Sequence, residues 1–408
     1  MSEAVAIGLL GHGTVGSAFA QLLDERAEEV RSVTGRAPQI AGVLTTSDGS
    51  FEDILERSQV VVELMGGIEP AREYVLAALR SGRSVVTANK QLLSQHGDEL
   101  LAAAREGGAQ LRFEAAVAGV VPVIRVLAES LAAARVERIH GIVNGTTNYI
   151  LSEMARTGCS YADALAAAQR LGYAEADPTE DVSGKDAAAK MAILARLAFG
   201  APVRLEQVPY EGIEHLTSDD IEYAQELGLG LKLVGTAERV GEGISVRVHP
   251  VFLYAGHPLA SVAGPYNAVT VESPAITEIT MSGPGAGGPQ TASAVLGDLV
   301  SVLLAPPPTP EPAPPQLEVV TDVESAFYLH MEVADRPGVL AQIAQVLGLQ
   351  GASIKSVIQK GLGDDARLVM VIHPLLESRL VAACDLIRGL DFVRSGPRAI
   401  RVLEEEFV

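Results

Sequence analysis

Short apolar runs alternate with helical periodicity through roughly the first third of the chain. AVAIGLL, QIAGVL, VVVEL, SVVTAN and QLRFEAAV read as strands, and PAREYVLAALRSG and LLSQHGDELLAAAREGG, lying between them, carry apolar residues at helical spacing. Strands apolar on both faces that alternate with helices specify βαβ units, right-handed crossovers and a parallel, doubly wound α/β sheet.

The pattern changes near Arg135. RVERIHGIV predicts a strand, and helices follow over 146–157, 160–171 and 184–200. LKLVGTAERV, ISVRVHPVFL and NAVTVES then alternate in the manner of a mixed or antiparallel sheet with one covered face. An apolar helix, TASAVLGDLVSVLL at 291–304, is expected to pack back on the first domain. APPPTPEPAPP at 305–315 has seven prolines in eleven residues and predicts a stiff spacer. Beyond it, FYLHMEVADRPGVLAQIAQVLGLQGASIKSVIQKG, RLVMVIHPL, a helix at 376–390 and AIRVLE spell βαββαβ. The expected domains are 1–133, with the 285–304 helix returning to it, 134–304, a linker at 305–320, and 321–408.

Composition narrows the choice of partners. A formal charge of −20 argues against nucleic acid, whose phosphates require clustered Lys and Arg. No apolar run approaches the ~20 residues of a membrane span, and MSEAVAIGLLGHG lacks the basic start of a signal peptide. Cys159 and Cys384 show no metal-ligand spacing and read as reduced thiols of a cytoplasmic protein.

GHGTVG at 11–16 is a G-x-G-x-x-G pattern placed between the first strand and a helix. Gly11 suits the tight turn, Gly13 the approach of a pyrophosphate, and Gly16 close packing of helix on strand. Thr14, Val15 and Gly16 open the helix, where free N–H groups and the macrodipole favour phosphate. This predicts a Rossmann dinucleotide-binding domain. The tip of the second strand, VLTTSDG, has no acid at Thr45 or Thr46 and no arginine, which leaves NAD and NADP both open with a lean to NADP.

EADPTEDVSGKDAAAK, residues 175–190, gathers five carboxylates before a helix. Asp186 and Lys190 are four apart and share a helix face; an exposed ion pair is the plain alternative. An amino-acid substrate brings an ammonium that needs carboxylates, for which Glu175 and Asp181 are also at hand. A carbonyl oxygen that takes up charge in a hydride transfer needs a cation able to give a proton. Lys90 follows the fourth strand at the carboxyl edge, where such sheets bind ligands; a cation at a helix start opposes the macrodipole and calls for a functional reason.

GHGTVG, VVELMGG, VTANKQLL, FEAAVAGVVPVI, GIVNGTTNYIL, GYAEADPTEDVSGKDAAAK and GPGAGG, in this order, resemble homoserine dehydrogenases over residues 1–304. The resemblance implies NADPH- or NADH-dependent reduction of aspartate semialdehyde to homoserine in threonine and methionine biosynthesis, and a catalytic domain that also dimerises. It implies Lys190 as the proton donor, Lys90 against cofactor and substrate, and Glu175 and Asp186 at the substrate. It puts Gly287 at the cofactor, and a structural sodium ion at Glu114 and the carbonyls of Val117, Gly119 and Val121; a plain turn is the alternative from the residues themselves. An assembly of two or four copies is expected.

DRPGVLAQIA and GASIKSV in the tail resemble an ACT domain. That implies amino-acid binding near Asp335 and Gly338, with threonine as the feedback effector, or else a pure dimerisation module. Two rivals stand beside this reading: an oxidoreductase for another amino-acid-like substrate, separable by turnover on aspartate semialdehyde, and a non-catalytic dinucleotide sensor, which would have no need of Lys190.

Overall fold

The computed structural model describes residues 3–305, 317–361 and 366–403. Five strands, β1 (Glu3–Leu10), β2 (Arg36–Leu44), β3 (Val60–Glu63), β4 (Ser84–Thr87) and β5 (Leu111–Arg112), form a parallel sheet in the order β2-β1-β3-β4-β5. Period-two alternation divides its valines between two cores. Val60, Val62 and Val86 face Phe19, Leu23, Val295 and Leu299, whereas Val61 and Val85 face Val75, Leu79, Leu92 and Leu100. The helix Gly288–Leu304 packs against the helix Thr14–Glu25 and closes the first of these faces. The strand order reverses beside β1, so the loops at its carboxyl end and that of β3 border a crevice where such sheets take ligands.

QLRFEAAV differs from its expected strand. Pairing stops at Arg112, and Glu114 opens a tight 3-10 turn, Glu114–Ala116, instead of ending β5. The buried Glu114 carboxylate accepts from the backbone N–H groups of Ile124 and Arg125, which draws the chain out of the sheet.

The remaining strands, β6 (Arg138–Ile142), β7 (Leu229–Val240), β8 (Gly243–Tyr254), β9 (Tyr266–Ser273), β10 (Thr277–Pro284), β11 (Glu324–Val333), β12 (Ile354–Lys360), β13 (Ala366–Leu376) and β14 (Val393–Leu403), make one sheet in the order β10-β9-β6-β7-β8-β14-β11-β13-β12. The helix Lys185–Phe199 lies on β7 and β8. Its depth is set by Met191, whose side chain occupies the space a Cβ would need at Gly235.

The described part of the tail packs against the body. The prolines of the run at 305–315 lie outside the described residues, but the end of the expected linker is part of the body's sheet edge: Ile244 N donates to Glu318 O at 2.9 Å, and Val320 N to Ile244 O at 2.7 Å. β14 pairs in parallel with β8, Arg401 beside Val251. Phe327, Leu329 and Met331 face the tail's own helices, Val339–Leu349 and Glu377–Arg388, while Ala326 and Tyr328 join the core of the body. A strand apolar on both faces needs two covers, and the body supplies the second. Buried polar contacts fix the junction: Asp220, on the helix Ser218–Glu226, lies 2.9 Å from His330 Nδ1 and 3.0 Å from Arg398. Among the described residues no helix is long and apolar enough to cross a membrane, and Cys159 and Cys384 are unpaired thiols.

Candidate active site

The three glycines of the first loop are required for different reasons. Gly11 has φ 96°, and a Cβ there would stand 2.6 Å from Leu64 O; at Gly16 it would collide with Gly11 O. At Gly13 it would meet nothing within 4 Å. The first and third glycines thus answer to the chain itself, whereas the second faces open space of the kind a bound pyrophosphate needs. Two helices begin here side by side, the one from Thr14 and the one from Gly288, because a Cβ on Gly288 would lie 3.3 Å from Thr14 O. Gly287, at φ 133°, caps the second. Both N-termini favour an anion, and the backbone N–H groups of Thr14, Val15 and Gly16 belong to the first turn. The loops fit a dinucleotide.

Beside them opens a cleft of about 400 Å³ lined by Val15, Gly66, Lys90, Gly119, Lys190 and Gly285, among others. Lys90 stands at the start of the helix Lys90–Gly107, and a chain of buried bonds holds it there. Glu63 accepts from Met65 N at 2.8 Å and from the Thr87 hydroxyl at 2.6 Å; Thr87 Oγ1 accepts from Asn89 N at 3.0 Å. Asn89 caps the helix through Leu92 N and donates to Gly67 O at 2.6 Å. Burial pushes the Glu63 carboxyl up, against these bonds.

Lys90 and Lys190 meet at Asp186. Lys90 Nζ donates to Oδ1 and Lys190 Nζ to Oδ2 at 2.7 Å, and Lys190 also donates to Val143 O at 2.7 Å. Burial opposes the charge of Asp186, yet Lys190 and Lys90 hold it well below the usual carboxylate range. Burial likewise opposes the Lys90 ammonium, but Asp186, Asp181 and Glu180 together keep it above the ordinary lysine value. The plain alternative of an exposed Asp186–Lys190 pair does not hold, because the Asp186 side chain is only 2% exposed.

Asn144 connects the acids and was not singled out from the sequence. Its Nδ2 donates to Asp181 Oδ1 and to Asp186 Oδ2, both at 2.8 Å, while its Oδ1 caps the helix Gly145–Thr157 through Thr147 N. The Asn-Gly step before a helix was the available signal, and it reads as a cap. The Thr146 hydroxyl lies 3.1 Å from Asp181 Oδ2. Glu175 is on an exposed loop; its backbone O accepts from Gln169, and its carboxylate is outside this network. Lys185 is exposed and pairs with Glu180 at 2.9 Å.

Glu114 lies beneath the cleft. Its N–H donates to Asp298 Oδ2 at 2.7 Å, and burial raises its carboxyl to about 7. Ala118 and Gly119 are both left-handed, at φ 58° and 66°, so the turn through Val117, Gly119 and Val121 is sharply bent. Val121 O accepts from Val123 N at 2.8 Å. Among the described residues no cluster of His, Cys, Asp or Glu is arranged to hold a metal, so an ion here would depend on main-chain oxygens. In the tail, Asp335 is exposed and accepts from Gln359 at 2.8 Å, and Gly338, φ 91°, caps the helix Val339–Leu349.

Comparison with known proteins decides the family. Residues 11–114 match the model for the NAD-binding domain of homoserine dehydrogenase, and residues 122–300 match the model for homoserine dehydrogenase itself. The chain belongs to the homoserine dehydrogenase family. It is 43% identical to the homoserine dehydrogenase of Corynebacterium glutamicum, over 98% of this chain and 96% of that one, and 41% identical to that of Pseudomonas aeruginosa, over 98% and 99%. The crystal structure of a homoserine dehydrogenase from Thiobacillus denitrificans is 39% identical, covers 98% of this chain and 99% of its own, and superimposes with a TM-score of 0.94. A hyperthermophilic archaeal homoserine dehydrogenase in complex with NADPH covers 74% of this chain and 98% of its own, at 28% identity and a TM-score of 0.64. As a homoserine dehydrogenase the chain is an NAD(P)-dependent oxidoreductase.

Proposed function

We propose that the protein reduces L-aspartate 4-semialdehyde to L-homoserine in threonine and methionine biosynthesis, with Lys190 as the proton donor. The observation that carries this reading is the convergence of Lys90 and Lys190 on Asp186 in the cleft beside the glycine loop. A bound nicotinamide cofactor supplies the hydride. Lys190 faces the developing alkoxide with three donors, of which Asp186 and Val143 O take two, leaving one to protonate the substrate oxygen. Lys90 adds positive charge beside the same oxygen. Asp181, Asp186 and Glu175 are read as the carboxylates that balance the α-ammonium.

NADPH is the favoured donor, because the β2 tip has no acid at Thr45 or Thr46 and Asp48 turns back to accept from Gly49 N at 2.9 Å. Glu114 with the carbonyls of Val117, Gly119 and Val121 is read as a sodium site, oxygen donors suiting a hard cation. The tail is read as an ACT domain, supported by its βαββαβ order, with threonine bound near Asp335 and Gly338. The assembly is read as a homodimer or homotetramer in the cytoplasm.

The test is the rate of NADPH and NADH oxidation with aspartate semialdehyde. Lys190→Ala is expected to lower kcat at least ~100-fold with little change in cofactor affinity. Near-normal turnover in the variant removes Lys190 from its role, and no turnover in the parent removes the substrate.

A further inference from the structure

Asn267, the second residue of β9, is 1% exposed and lies between the two walls of the cleft. Its Nδ2 donates, over a long 3.4 Å, to Val143 O, the carbonyl that also accepts from Lys190. On the other side, a Cβ on Gly285 would stand 2.5 Å from Cγ, Nδ2 and Oδ1 alike, which sets that glycine over the middle of the amide. Gly285 lines the cleft, and Gly283 pairs in register with Asn267. One side chain thus spans from the seat of Lys190 to the glycine loop at 283–288.

The orientation of the amide follows from its partner, since exchanging O and N would set two acceptors against each other at Val143. Oδ1 is then buried with no hydrogen-bond partner among the described residues. An unpaired buried acceptor costs more than one long amide–carbonyl bond returns, so stability alone favours an apolar side chain of this size here. Packing does not explain the asparagine; the bond it donates to Val143 O does.

We infer that Asn267 is a positioning residue for the reaction. It holds Val143 O, and through it the Lys190 ammonium, at a set distance from the Gly285 wall. This rests on Lys190 as the proton donor, which the Lys190→Ala measurement decides separately.

Asn267→Leu keeps the volume beneath Gly285 and removes the donor. With aspartate semialdehyde and NADPH, kcat is expected to fall tenfold or more, while both KM values and the NADPH Kd from calorimetry stay close to the parent's and the melting temperature equals the parent's or exceeds it. A filler beneath Gly285 would leave kcat within twofold, and a general disturbance would raise KM and Kd as well; either result overturns the inference. Should the leucine variant fail to fold, Asn267→Ala is read by the same criteria. Failure of both to fold assigns the residue to stability and overturns the inference too.

Discussion

The Nζ atoms of Lys90 and Lys190 sit on opposite oxygens of one carboxylate, that of Asp186. Two cations are thereby aimed into the same cleft from different helices, Lys90–Gly107 and Lys185–Phe199, which pack against each other. The second partner of Lys190, Val143 O, carries no formal charge.

Removing that carboxylate should disarm both lysines. Asp186→Asn keeps the shape and loses the charge, and kcat is expected to fall by ~100-fold, the scale of a misplaced reacting group. Steady-state turnover of aspartate semialdehyde measures it. A kcat within about threefold of the parent would deny Asp186 this part.

The glycine loop separates folding from binding. Gly13 has φ −77° and free space around it, so Gly13→Ala should leave the melting temperature unchanged or slightly higher, as expected when the unfolded chain loses freedom. Cofactor affinity should nevertheless drop at least ~10-fold, about 1.4 kcal/mol, because the methyl occupies the space of the pyrophosphate. Gly16→Ala should lose both stability and affinity, since its methyl collides with Gly11 O. Calorimetric titration with NADPH beside thermal melts tests the pair; equal effects of the two substitutions would refute the distinction.

The junction between body and tail should weaken in acid. Burial opposes ionisation of Asp220, but His330, Thr217 and Arg398 outweigh it and depress its pKa below the ordinary 3.8. The depressed value means that the stabilisation is complete above 3.8 and is lost as the pH falls through the lower folded value. Asp220→Asn should therefore melt below the parent at neutral pH, by on the order of 1–2 kcal/mol after allowing for the partial exposure of Arg398. The gap should close as the pH falls below 3.8 through the lower folded value. Scanning calorimetry across this range decides it, and a gap independent of pH would rule out the ionised carboxylate as its source.

Much of the site was legible because its parts are local. Apolar runs such as VVVEL mark strands wherever they occur, and the spacing of Asp186 and Lys190 puts them on one helix face. Asn144, Glu63 and Asn267 were not legible, since each gains its meaning from residues brought near only by folding: Asp181 and Asp186, Thr87, and Val143 with Gly285. Glu114 read as the end of a strand because nothing local records the Ile124 and Arg125 amides that pull it away. The docking of the tail was hidden for the same reason. The proline run suggested separation, whereas the pairing of β14 with β8 is a long-range match with no local mark.

That pairing has a consequence for how the protein comes to be made. β8 stands near the middle of its sheet, yet beyond Pro250 the neighbour on its far side is β14, which leaves the ribosome long after it. Until then Val251, Phe252 and Leu253 present an open strand edge, the kind of surface that recruits stray strands from other nascent chains. The arrival of the tail closes that edge.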